Sequence, residues 1–142
     1  MYDSTFFELV VFVGRLLFVF LFIGSGIGHL TQTAAMAGYA ESKGLKNSKL
    51  MVQVSGVALV AGGVSILLGI WGDIGALGLA VLLVITAVAM HAFWKETDPM
   101  AKQMEMVGFN KDIALAGAAL ILWVYFHYDA VPWTITGPLF GV

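Results

Sequence analysis

The chain has 142 residues, is 60% hydrophobic and only 11% charged, and has a mean hydropathy of +0.93. A soluble domain is about 45–50% apolar and about 25% charged, so this composition excludes a water-soluble globule and a disordered chain. The absence of cysteine excludes a disulfide scaffold and thiol chemistry, and a net charge of −2 provides no basic field for nucleic acid.

An α-helix crosses a hydrocarbon core of about 30 Å with about 20 residues. Residues 16–40, 50–72, 74–94 and 113–128 carry no Asp, Glu, Lys or Arg. The first span is expected at about 7–30, passing through Arg15. Its flank, with Asp3 and Glu8 and no basic region, is unlike a signal peptide. A loop over about 31–49 follows, with small residues from Ala34 to Ala40 and a polar stretch from Glu41 to Lys49. The second span is expected at about 50–71 and the third at about 74–94, joined by little more than Gly72-Asp73. So short a turn makes an antiparallel helical hairpin.

The next loop, about 95–108, holds Asp98-Pro99, an N-cap followed by a first-turn proline, which predicts a short interfacial helix. Met100, Met104 and Met106 give that segment a soft apolar face for lipid or a partner. The fourth span is expected at about 109–128, with Lys111 snorkelling to the interface. The tail over 131–138 is too broken for a helix, and is expected along the surface or against a partner. Continuously apolar runs argue for helices over barrel strands. The reading is an all-α integral membrane protein, one antiparallel four-helix bundle over residues 1–142.

Four spans put both termini and the 72–73 turn on one side and both long loops on the other. Trp71, Trp123, Tyr125, Tyr128 and Trp133 then form an interfacial belt at the terminal side, with Trp94 opposite. Lys43, Lys46, Lys49, Lys95, Lys102 and Lys111 all belong to the long-loop side. Lysine excess marks the cytoplasm, so the long loops are expected inside and both termini outside.

Arg15, about two turns inside a span, is the most expensive residue in the sequence. It is expected either to pair with Glu8 or Asp73 or snorkel outward, or to anchor an anionic or carbonyl-bearing ligand through its planar fork. His29 and His91 fall at the long-loop ends of spans one and three, Gln53 at the start of span two, and Lys111 and Asp112 at the start of span four. Topology gathers them at one level, as a ligand or proton-relay site or as an interfacial hydrogen-bond layer. No metal-ligand spacing, Ser-His-Asp arrangement, phosphate loop or paired catalytic carboxylate occurs, so no catalytic or metal residue is assigned. Gly24 with Gly28, and Ala58 with Gly62, are spaced for close helix packing.

Three stretches resemble the DoxX family of small four-helix membrane proteins. One runs from Gly14-Arg15 to Ser25-Gly-Ile-Gly28. The second is Met36-Ala-Gly-Tyr39 with Ser42-Lys-Gly44. The third joins His91-Ala-Phe-Trp94 and Asp98-Pro99-Met100 to the string Phe109–Gly117. The resemblance covers about residues 12–122. It implies a bacterial or archaeal cytoplasmic-membrane bundle. Relatives are linked to membrane redox systems, one of them similar to a subunit of a quinone-reducing thiosulfate oxidoreductase. By the same resemblance Arg15, His91, Trp94, Asp98, Pro99, Lys111 and Asp112 are candidate functional positions, and with His29 and Gln53 all of these but Pro99 are the candidate ligand-binding residues. Two positions depart from the pattern: His29 stands where lysine is frequent, and Asp112 where asparagine is common.

The function expected is that of an accessory subunit of a larger quinone-linked membrane redox complex, without catalytic activity of its own. Its partners would be membrane lipid and the subunits of that complex. Quinone or a bound lipid is the ligand in view, with no cofactor firmly implied. The alternative is a stand-alone lipid- or quinone-binding protein or small-solute carrier.

Overall fold

The computed structural model describes residues 4–142. Helix α1 spans Ser4–Thr31, α2 Thr33–Ser42, α3 Ser48–Leu68, α4 Gly72–Met90 and α5 Pro99–His127, with a single 3-10 turn at Phe93–Lys95. The fold is all-α, and among the described residues α1, α3, α4 and α5 are the four helices long and apolar enough to cross a membrane. They alternate in direction, and α1 packs on α3, α3 on α4, and α4 on α5. The ten-residue α2 is too short to span, and packs against α3 and α1 at the long-loop end.

Small residues set the helix contacts. A Cβ on Gly26 of α1 would lie 2.7 Å from the Gly56 carbonyl oxygen of α3, so these two backbones touch. In lipid, where apolar side chains gain nothing by hiding from water, such close packing is a main source of helix association. The pair expected from spacing, Gly24 with Gly28, is not the contact: Gly24 meets nothing within 4 Å, and Gly28 reaches only the Met36 side chain. The buried residues of α1 are Arg15, Val19, Phe22 and Gly26, a narrow stripe with a seven-residue repeat. Much of the rest of α1 is an exposed apolar surface, from Leu9 and Val10 to Leu17 and Phe20, as a lipid-facing helix requires.

The α3–α4 connection is Gly69-Ile-Trp71, not Gly72-Asp73, which form the first turn of α4. Gly69 closes α3 at φ +63°, and a Cβ there would meet Thr134 at 2.5 Å. The Ser65 hydroxyl donates to the carbonyl of Ile70 at 2.7 Å, bracing the turn. The second difference concerns Pro99. Asp98 caps a helix, accepting from the Ala101 amide at 2.8 Å, but that helix is α5 itself. Its 29 residues extend roughly 43 Å, longer than a hydrocarbon core, so the expected interfacial helix is the protruding first part of the fourth span.

The segment after α5 is irregular, as expected, and is stitched to the α3–α4 turn. Ile135 and Thr136 amides donate to the carbonyls of Leu68 and Gly69, both at 3.0 Å. Leu139 and Phe140 amides donate to the two carboxylate oxygens of Asp73, at 3.0 and 2.9 Å.

Candidate functional site

At the long-loop end, α2, α4 and α5 converge on one carboxylate. Tyr39 and Lys43, four apart, lie on one face at the end of α2. His91 ends α4. Glu105 and Asp112, seven apart, lie in the buried stripe of α5 that continues through Ala119 and Phe126. Glu105 Oε1 accepts from the Tyr39 hydroxyl at 2.5 Å and from Lys43 Nζ at 2.7 Å, and Oε2 accepts from His91 Nδ1 at 2.7 Å. Lys43 also reaches Glu96 at 2.8 Å. Hydrogen bonds to Glu105, then Glu96, hold the Lys43 ammonium above its ordinary pKa. Burial first, and the bond to Glu105 second, raise the Tyr39 phenol. Both therefore stay protonated donors, and Glu105 is an ionised carboxylate with three charge-assisted or hydroxyl bonds. His91 Nε2 lies on the other side of the ring, 3.7 Å from Asp112 Oδ2.

Next to this cluster is a cavity of about 590 Å³. Its walls are apolar, with Phe22 of α1, Val54 and Leu59 of α3, and Leu83 and Ile85 of α4. Its polar groups include His29, Tyr39, His91, Lys111 and Asp112. The lining residues Leu50, Val54 and Ile85 are themselves exposed, so the cavity opens sideways, toward lipid. Small-molecule pockets run about 300–1,000 Å³, mostly apolar with a few placed polar groups. This cavity has that form, and would take an amphiphile with its head at the polar cluster.

The structure brings four of the candidate residues to this cavity: His29, His91, Lys111 and Asp112. His29 Nδ1 donates to the Ser25 carbonyl on its own helix at 2.7 Å. Gln53 is exposed on α3 and does not line the cavity. Trp94 is half-exposed and packs edge-on against Phe93 and Phe109. Asp98 is spent on its cap.

Arg15 sits at the opposite end of the bundle, 1% exposed. Neither expected acid partner is used: among the described residues no carboxylate pairs with it. It donates to the Trp133 carbonyl at 3.2 Å and the Ile66 carbonyl at 3.5 Å, and lies 5.4 Å from the Phe12 ring centre. The physical reason is competition, since both Asp73 oxygens accept backbone amides from the segment after α5.

Tyr39, Lys43, Glu96 and Glu105 are the site residues that sequence reasoning did not single out. The available signal was the spacing Glu105–Asp112 on a helix face that is otherwise apolar below it. It was obscured by assigning residue 105 to a loop.

One family model, DoxX, matches residues 10–92. No curated protein and no solved structure matches the chain. The matched residues run from α1 to the end of α4, and include Arg15, His29, Tyr39, Lys43 and His91; Glu105, Lys111 and Asp112 follow on α5.

Proposed function

The chain belongs to the DoxX family, and from that premise we propose that it is a multi-pass membrane protein that binds a quinone-class amphiphile and serves as an accessory subunit of a larger membrane redox complex. The observation that carries the reading is the apolar cavity ending at His29, His91 and Asp112. Its volume and its lateral opening suit an isoprenoid tail entering from lipid, with the ring oxygens at the polar end. The ligand, when bound, supplies the two-electron chemistry; the chain's own part is to hold the ring and exclude water from it. With no cysteine and no clustered electron-carrier ligands in its sequence, the chain suits a role beside an enzyme that supplies them. Met100 and Met104, both exposed on the protruding turns of α5, suit a docking surface for that enzyme. The lysine-rich long-loop side faces the cytoplasm in this reading.

The test is extraction of native membranes directly into nanodiscs, with mass spectrometry of retained lipids and proteins. A quinone enriched over bulk lipid, together with a redox enzyme, is the expected result. Ala58 lines the cavity, and Ala58→Phe is expected to empty it of quinone while the protein still assembles. Quinone at the bulk-lipid level in both proteins would sink the reading. Retained quinone without any partner would make the chain a stand-alone binding protein instead.

A further inference from the structure

The hydrogen-bonding sense of the cavity is fixed by what its imidazoles do elsewhere. His29 Nδ1 is 2.7 Å from a backbone carbonyl, which can only accept. Nδ1 therefore carries a proton, and in the neutral imidazole the lone pair is the one at Nε2. His91 Nδ1 is 2.7 Å from Glu105 Oε2, and Glu105 already takes Lys43 and the Tyr39 hydroxyl on Oε1. That carboxylate is ionised, so His91 Nδ1 also donates outward and Nε2 is the remaining nitrogen. Nε2 stands 3.7 Å from Asp112 Oδ2, and Lys111 Nζ stands 3.7 Å from Oδ1. Both separations exceed a hydrogen bond. The Tyr39 and Ser55 hydroxyls, which also line the cavity, spend their protons on Glu105 and the Val52 carbonyl. Lys111, half-exposed, is the one cationic donor at the rim. The Ser25 and Thr86 hydroxyls also line the cavity and can donate or accept, whereas a neutral His29 Nε2 and the Asp112 carboxylate only accept.

We propose that the site selects a head group that donates hydrogen bonds, and so holds a quinol in preference to the quinone of the same skeleton; this rests on the binding role proposed above. Two quinol hydroxyls match acceptors such as His29 Nε2 and the Asp112 carboxylate. A quinone brings only carbonyl acceptors to the same groups and leaves them unpaired in an apolar cavity. Each hydrogen bond so lost is worth up to about tenfold in affinity. A hydroxylated lipid head group offers the same donors.

The experiment measures binding to the full chain in phosphatidylcholine nanodiscs under anaerobic conditions. The probes are a one-isoprene benzoquinol, its oxidised quinone and the quinol's dimethyl ether, which keeps the shape and lacks the donors. The quinol is expected to bind about tenfold more tightly than either of the others. In His29→Phe that margin is expected to shrink, and if this variant does not fold, the ligand series on the unaltered chain decides alone. Displacement of the quinol by equimolar mono-oleoylglycerol would support the same donor selection and assign its source to lipid. Equal affinity for quinol, quinone and ether would overturn the inference and leave the binding role standing. Failure of all three to bind would remove both.

Discussion

Lys43 and Asp73 each hold a neighbouring element in place, one at either end of the bundle. Lys43 joins α2 to α5 through Glu105 and to the segment before α5 through Glu96. Its pKa is raised by folding, so its contribution is complete below the unfolded-state pKa and is lost as pH climbs through the folded one. Lys43→Met is therefore expected to cost about 2 kcal/mol, equally at about pH 6 and about pH 8. Thermal melts in detergent would check this, with the gap to the unaltered chain closing only under strongly alkaline conditions. A gap that changed steeply near neutrality would point to a different titrating group. At the other end, Asp73→Ala removes the acceptor for the Leu139 and Phe140 amides. Those two amides are expected to exchange with deuterium much faster, and the bundle to lose about 2 kcal/mol. Unchanged exchange at both amides would mean that the segment is held by its contacts to Leu68 and Gly69 alone.

Among the helices, backbone proximity decides which small residues matter. Gly26→Ala would press a methyl against the Gly56 carbonyl and the Val60 side chain, and is expected to destabilise by about 2 kcal/mol. Gly24→Ala, two residues away and facing open space, is expected to be neutral or stabilising by about 0.5 kcal/mol. Unfolding titrations of the two variants would separate the cases, and equal effects would refute the α1–α3 contact. Spacing alone did not choose between these glycines, because both lie in one apolar run and only the partner helix distinguishes its faces. The spans themselves were legible, since lipid demands long uncharged stretches and the charges in this sequence stop where they begin. Helix α5 was legible only in its lower part. Its first turns carry Lys102 and Glu105 and read as loop by charge, yet Glu105 is buried through Tyr39, Lys43 and His91, whose approach depends on how α2 folds back.

For the molecule as a whole, alternation of four spans leaves orientation as a single choice, and the proposed one, with the long loops inside, follows from lysine placement. Because the chain has no cysteine, Lys46→Cys and Tyr128→Cys report the two sides without background. Lys46→Cys is expected to react with an impermeant maleimide only after the cells are opened, and Tyr128→Cys in intact cells. The reverse pattern would invert the assignment. Gathering of His29, His91, Lys111 and Asp112 was foreseeable from this topology, since each falls at a long-loop end of its span. The partners of Arg15 were not, because they are main-chain carbonyls, which leave no mark on residue type. That arrangement bears on how the protein is made. Arg15 enters the bilayer with the first helix, whereas Trp133, whose carbonyl receives it, is translated after all the spans. For most of synthesis a guanidinium waits in the membrane without that acceptor. Arrival of residues 133–140 against the α3–α4 turn is then the event that supplies it.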